Sequence, residues 1–240
     1  MKSHHRESVT HAVVLAGGLG TRVSSVLGNR PKALADVAGR PFLDWKLDEL
    51  ECNSINQVTF LLGNGSEEII EFLNDRDKPP EFHCIVDGPQ LLGTGGALAN
   101  ALTHLPRNFF LTYGDNLLEM PYRELSEAAA QAATACALAV TADIGPADQP
   151  NSVVTGSKVS TYSKIHQANM MFLDYGVMLL NRSNVEAITQ PLQPPFDLAA
   201  VLSMLADEGE LAAAITELPY WEIGTPQTLE QTAKALGSRS

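Results

Sequence analysis

Positive charge is scarce in this chain. Its 240 residues carry 16 lysines and arginines against 28 aspartates and glutamates, a formal net charge of -12. A surface this acidic excludes a broad phosphate-binding face for DNA or RNA, so an anionic ligand has to be held in a local pocket of positive charge. Cysteine is scarce too. The three present, Cys52, Cys84 and Cys136, are odd in number, widely spaced and set in apolar runs, which reads as reduced core thiols rather than a disulfide or metal framework. No stretch is long and apolar enough to span a membrane, and the opening MKSHHRESVT lacks the apolar stretch of a signal peptide. A cytoplasmic protein with no membrane partner is expected. Low-complexity tracts, repeats and linker-like breaks are also missing, so one domain over residues 1–240 is expected, flexible at 1–10. What is abundant is apolar side chain: 45% hydrophobic residues suffice for a full core.

His11 to Ala16 (HAVVLA) is a β-branched run that ends in glycines, the pattern of a buried parallel strand. Phe42 to Leu50 places leucines at helical spacing. Gln57 to Leu62, Phe82 to Val86 and Phe109 to Tyr113 read as further strands, with helices over Ser66 to Leu73 and Gly95 to Leu105 between them. Alternating strands and helices predict an α/β fold: a Rossmann-like, mainly parallel or mixed sheet with helices on both faces. The run Glu127 to Ala142 reads as a small-residue helix leading into a strand. Later strands are expected over Ser152 to Val154, Val159 to Tyr162 and Tyr175 to Leu180, as a sheet extension or a hairpin over one edge. At the end, Thr225 is placed to cap a helix whose first residue is Pro226.

The most specific feature is Leu15-Ala16-Gly17-Gly18-Leu19-Gly20-Thr21-Arg22, with eight residues between it and Pro31-Lys32. Adjacent glycines after a first strand let the backbone turn tightly and aim amide hydrogens at phosphate oxygens. Arg22 adds a planar fork and Lys32 a compact charge. No lysine follows the glycines as a P-loop requires. Val23 or Ser25 stands where the dinucleotide fingerprint needs its third glycine, which disfavours a Rossmann dehydrogenase. Further on, the apolar run Phe109 to Tyr113 leads into Gly114-Asp115-Asn116. A carboxylate at the carboxyl end of a parallel strand sits where open α/β sheets bind ligands, and Asp115 suits Mg²⁺, a hard ion that takes one or two carboxylates plus substrate phosphates.

The string LAGGLGTR-(eight residues)-PK, then VAGRPFLDWKLDEL, resembles the signature of the sugar-phosphate nucleotidyltransferases. The resemblance continues through Gly93-Thr94-Gly95-Gly96-Ala97, Gly114-Asp115, Lys164, Tyr175 to Leu180 and Trp221-Glu222-Ile223-Gly224-Thr225-Pro226, about residues 11 to 230. Within the family the chain looks most like the short heptose 1-phosphate guanylyltransferases, without the C-terminal β-helix of longer relatives.

The resemblance implies Mg²⁺-dependent transfer of a nucleoside monophosphate from an NTP to a sugar 1-phosphate, giving an NDP-sugar and pyrophosphate. It implies a nucleotide-binding part over 11–120, a sugar-phosphate part over 121–240, and often a homodimer. Arg22, Lys32 and Asp115 take the catalytic roles. Leu15, Ala16, Gly17, Gly18, Gly20, Thr21, Gln90 and Gly95 are expected at the nucleotide, with Asp87 and Thr94 as further candidates. Lys164, Asp174 and Asn151 are expected at the sugar phosphate. Asp115 and Glu222 are expected at the metal, although the family commonly has aspartate where Glu222 stands. His83 carries no site role. Two other readings stay open: a cytidylyl- or uridylyltransferase for another phosphorylated acceptor, and a regulator that binds nucleotide without turnover.

Overall fold

The computed structural model describes residues 8–18, 23, 27–28, 30–76, 80–88, 90, 92–145 and 148–238. Among these, nine strands form one sheet in the order β5-β4-β1-β6-β11-β8-β12-β10-β9. Its first half is parallel: β1 (His11–Leu15) lies between β4 (Gln57–Leu62) and β6 (Asn108–Tyr113), with β5 (Glu81–Val86) outside β4. Residues Ala12, Val13 and Val14 are fully buried, because a strand covered on both faces has no polar side to present.

The second half is mixed. Strand β11 (Leu173–Asn181) runs antiparallel to both β6 and β8 (Cys136–Thr141), and β12 (Leu211–Ile215) runs parallel to β8. The hairpin β9 (Ser152–Thr155) and β10 (Lys158–Tyr162) closes that edge. Helices cover both faces, as the alternating pattern predicts. On one face α1 (Phe42–Cys52), α2 (Ser66–Asn74) and α4 (Arg123–Gln131) pack Leu43, Leu47, Ile69 and Leu125 against Val14, Phe60 and Phe110. On the other, α3 (Gly93–Ala101), α5 (Arg182–Thr189) and α6 (Leu198–Asp207) pack Leu98, Val185 and Leu202 against Val13, Leu111 and Met178.

Two small sheets flank this frame: β2 (Asp36–Val37) with β3 (Arg40–Pro41), and β7 (Asn116–Leu118) with β13 (Tyr220–Glu222). The sequence pattern does not reveal β7, β12 or β13. LAAAI at β12 has weak strand propensity, and its pairing with β8 decides its state. Of the three cysteines only Cys136 is buried. Cys84 is half-buried and Cys52 exposed, which corrects the expectation that all three lie in the core; Cys52 falls off the apolar stripe formed by Leu43, Leu47 and Leu50. Val9 packs on the core, and the Thr10 carbonyl accepts the Asn56 N–H at 3.0 Å, while residues 1–7 of the expected flexible start lie outside the described residues.

Helix α7 (Pro226–Gly237) starts as its sequence predicts. The Thr225 side chain accepts the Thr228 N–H at 3.1 Å, and the Thr225 N–H donates to the Thr228 hydroxyl at 3.0 Å. Thr225→Ala is expected to lower unfolding stability by about 1 kcal/mol, read by chemical denaturation, because one of the orphan first-turn amides loses its acceptor.

Candidate active site

The carboxyl ends of β1 and β6 open onto a cleft of about 610 Å³. Leu15, Ala16, Gly17 and Gly18 form one wall. Gly93, Thr94 and Ala97 of α3 and Asp87 at the end of β5 form another. Lys32, Ala33, Leu61, Tyr113, Gly114, Asp115, Pro195 and Gly224 complete it. The strand order places this cleft where the connections from β1 and its neighbour β6 diverge, the usual ligand crevice of open α/β sheets. Gly17 fits tightly against β4: a Cβ there would lie 2.9 Å from the Gly63 nitrogen, whereas one at Gly18 would meet nothing. Gly20, Thr21 and Arg22 lie outside the described residues.

At the polar end, the Lys32 ammonium donates to Asp115 Oδ2 at 2.6 Å, with side chains 13% and 39% exposed. Lys32 opens a short 3-10 turn, Lys32–Leu34, whose Ala33 and Leu34 are buried and so hold the lysine over the β6 end. The small β7–β13 sheet brings up the other carboxylate. Glu222 pairs with Asn116 in that ladder, and the Ile223 N–H donates to the Asp115 carbonyl at 3.1 Å. Burial and then the Asp115 charge push the Glu222 carboxyl above the usual range, while Lys32 pulls it back. Two carboxylates and one ammonium therefore share this corner. Among the described residues no group of three or more His, Cys, Asp or Glu side chains is arranged to hold a metal by itself, so a Mg²⁺ ion here would need oxygens from the substrate.

Behind Asp115 lies a group that sequence reasoning passes over. Lys46 of α1 is fully buried, and its ammonium donates to Glu49 Oε2 at 2.5 Å, Thr112 Oγ1 at 3.2 Å and Asn116 Oδ1 at 3.2 Å. Burial draws its pKa down, and the Glu49 charge, then Asp115, act against that. The signal available in the sequence is position: Lys46 falls on the same helical face as Phe42, Leu43, Leu47 and Leu50. A charge on a core stripe requires a partner.

The residues expected at the acceptor form a separate group beyond Tyr113. Asp174 accepts the Tyr162 hydroxyl at 2.9 Å and the Gly176 N–H at 2.5 Å, and the Asn151 side-chain oxygen accepts the Asp174 N–H at 3.0 Å. The Lys164 ammonium, 62% exposed, donates to Asp197 Oδ2 at 2.6 Å. Tyr113 joins the two regions. It lines the cleft, and its phenol is driven up by burial and then by the charges of Asp174, Asp197 and Asp115. Gln90 is exposed and Gly95 is buried, and neither lines the cleft. The Gly95 N–H donates to the Phe196 carbonyl at 3.0 Å, and a Cβ there would sit 2.6 Å from the Phe196 ring, so this glycine serves packing. Gly93 and Thr94 present the start of α3 to the cleft instead.

Asp174 gives a pH prediction. Burial raises its pKa above the ordinary 3.8, more than its hydrogen bonds from Gly176 and Tyr162 lower it. In the window between 3.8 and the raised value the folded state binds more protons than the unfolded, so stability falls as pH rises through that window. Asp174→Asn removes the titration. The stability difference, variant minus wild type, is expected to rise with pH across that window in paired denaturation series; a flat difference would show that Asp174 titrates normally.

The sequence matches the family described as MobA-like NTP transferase domain over residues 12–215. A bifunctional protein GlmU of Methanococcus maripaludis (strain C5) is 32% identical over 108 residues, 45% of this chain and 25% of that protein. A D-glycero-alpha-D-manno-heptose 1-phosphate guanylyltransferase of Campylobacter jejuni is 28% identical over 114 residues, 48% of this chain and 51% of that protein. The chain thus spans from a quarter to about half the length of these curated relatives. Among solved structures, HddC of Yersinia pseudotuberculosis complexed with GMP-PN superposes with a TM-score of 0.78 at 23% identity, covering 95% of this chain and 100% of the other, which shows a common fold. The family match runs from β1 through β12 and takes in both the glycine loop and Asp115, and the chain belongs to the MobA-like NTP transferase domain family of nucleotidyltransferases.

Proposed function

We propose that this chain transfers a nucleoside monophosphate from an NTP to a sugar 1-phosphate, with GTP and heptose 1-phosphate as its substrates, releasing pyrophosphate. The observation that carries this reading is the meeting, in one cleft, of the Gly17-Gly18 backbone, the first turn of α3 and the Lys32–Asp115 pair beside Glu222. The glycine backbone offers amide hydrogens to phosphate oxygens, α3 lines the cleft through Gly93 and Thr94 while its Gly95 and Gly96 N–H groups go to the Phe196 carbonyl, and the ion pair offers charge of both signs at the end where phosphates must react. The guanylyltransferase relative and the GMP-PN complex of HddC support guanine as the base.

In this reaction an oxygen of the acceptor's phosphate attacks the α-phosphorus in line. A new P–O bond forms as the bond to the β-phosphate oxygen breaks, and pyrophosphate leaves with the electron pair. The acceptor is already an anion, so no covalent enzyme intermediate or general base is needed. Positioning and charge neutralisation are what the chain supplies. Lys32 neutralises negative charge on the reacting phosphates, and Arg22 of the glycine loop serves the same end. Lys164, paired with Asp197, is the cation that meets the acceptor's phosphate, with Asp174 and Asn151, bonded to each other, on the same side.

Asp115 and Glu222 fit a divalent cation: two carboxylates close enough for one to raise the other are relieved by a positive ion, and their oxygens are hard donors. Bound there, Mg²⁺ would supply charge neutralisation at the triphosphate. The test is pyrophosphate release with Mg²⁺ from GTP, CTP, UTP, dTTP and ATP against a panel of sugar 1-phosphates that includes heptose 1-phosphate. Release with GTP and heptose 1-phosphate alone supports the full reading. Release with another pair keeps the transferase and replaces the substrates. NTP binding without release from any pair favours the regulator.

A further inference from the structure

We propose that Lys46 is a positioning residue for the metal-end aspartate, holding the Gly114-Asp115-Asn116 turn from beneath and coupling it to the acceptor side. This rests on the transferase reading above. Lys46 does not line the cleft. Two of its three acceptors, however, bracket Asp115 on β6 and β7: Thr112 precedes it by three residues and Asn116 follows it. Thr112 also donates to Asn116 Oδ1 at 3.1 Å, so the two flanks of the turn are tied to each other as well as to the ammonium.

The far end of Asn116 is engaged too. Its Nδ2 donates to the carbonyls of Tyr175 and Gly176 at 3.3 and 3.4 Å. Gly176 has φ +69°, and its N–H donates to Asp174. A continuous line of contacts therefore runs from α1 through Lys46, Asn116 and Gly176 to Asp174. On the other side, Glu49 is fixed by the Leu118 N–H and the Tyr122 hydroxyl, both at 3.0 Å, so the ammonium has a rigid counter-ion. Stability alone does not account for such a pair, since a buried ion pair replaced by well-packed apolar groups often leaves a protein as stable as before. Its geometry accounts for it: the ammonium binds both flanks of the turn that carries Asp115, and one of those flanks, Asn116, is also bonded to β11.

The double variant Lys46→Met/Glu49→Gln removes both buried charges and retains an oxygen at position 49 to accept from the Leu118 N–H and the Tyr122 hydroxyl. Thr112→Val is isosteric and leaves the ion pair in place. Both are compared with wild type by thermal unfolding, by pyrophosphate release across a Mg²⁺ series, and by Mn²⁺ titration followed by electron paramagnetic resonance in the presence of a non-hydrolysable NTP. Folded double variant is expected to show Mn²⁺ binding weakened about 10-fold and kcat lowered by about 10- to 100-fold, the range seen when partners of metal ligands are removed. The NTP KM at saturating metal is expected to stay within about threefold. Thr112→Val is expected to show the same two shifts at about threefold, and it decides the matter if the double variant does not fold. Wild-type Mn²⁺ affinity and kcat in a folded variant would overturn the positioning role. Should wild type release no pyrophosphate with any substrate pair, the transferase reading fails by itself, and the Mn²⁺ titration still decides whether Lys46 orders Asp115.

Discussion

Asp115→Asn is expected to lower kcat on the order of 10³-fold, about 4 kcal/mol, while the fold survives. Asparagine keeps the shape of the side chain and can still accept from Lys32. It removes the negative charge that faces Lys32 at 2.6 Å and that raises Glu222. On the proposed reading, a hard divalent ion would then meet one charged donor instead of two. The stability cost is small, because Asp115 is 39% exposed and an ion pair that accessible contributes roughly 0–1 kcal/mol. The two effects separate cleanly: pyrophosphate release falls while the melting curve moves little. Turnover within about threefold of wild type at saturating Mg²⁺ would remove Asp115 from the chemistry.

Gly93→Ala is expected to act on stability and binding together. Gly93 has φ +74°, a region that costs an L-residue roughly 1–2 kcal/mol. A Cβ there would also lie 2.4 Å from the Phe196 carbonyl oxygen and 2.9 Å from its carbon, both backbone atoms. Phe196 has little freedom to retreat. Its N–H donates to the Leu92 carbonyl at 3.0 Å, its carbonyl receives the Gly95 and Gly96 N–H groups, and Leu198 N–H donates to Thr94 Oγ1 at 2.9 Å. Relieving the clash means breaking some of these. A loss of about 3 kcal/mol or more is expected, a fall in melting temperature of roughly 6–12 °C for a chain this size. Gly209→Ala supplies the control, since φ there is +68° with nothing within 4 Å of a Cβ; only the backbone term of roughly 1–2 kcal/mol is expected. Because Gly93 and Thr94 line the cleft, the NTP KM is expected to rise as well. Equal melting points for the two variants would show that the Phe196 contact is not what makes position 93 a glycine.

Asp115 and Gly93 differ in how far the sequence alone reveals them. Asp115 is legible there, because an apolar run ending in Gly-Asp-Asn marks the carboxyl end of a strand, where ligands bind. Gly93 is not: the helical pattern opens at Gly95, and only the packing of Phe196 across that turn shows why three glycines stand at 93, 95 and 96. Gly95 is accordingly expected at the nucleotide, yet it faces Phe196 and Asp197. Lys46 is visible as a charge on an apolar stripe, but its partners Thr112 and Asn116 lie 66 and 70 residues away along the chain. No local pattern carries that distance.

Local pattern along the chain suffices for the alternating strands and helices of the first half, the sheet's helix-covered faces, the cap at Thr225, and the glycines after β1 with their distant lysine. These are short-range properties: side-chain period, turn chemistry and capping act within a few residues of one another. Tertiary structure alone decided that LAAAI forms an inner strand, that Glu222 comes up beside Asp115 on a three-residue ladder, and that Cys52 points outward. It also decided that Lys164 meets Asp197 and that Lys46 sits beneath the Asp115 turn. Each of these is a contact between distant segments, set by which strand pairs with which and by what the resulting core can bury. Weak local preference leaves such choices open, and the energy of long-range pairing and burial makes them.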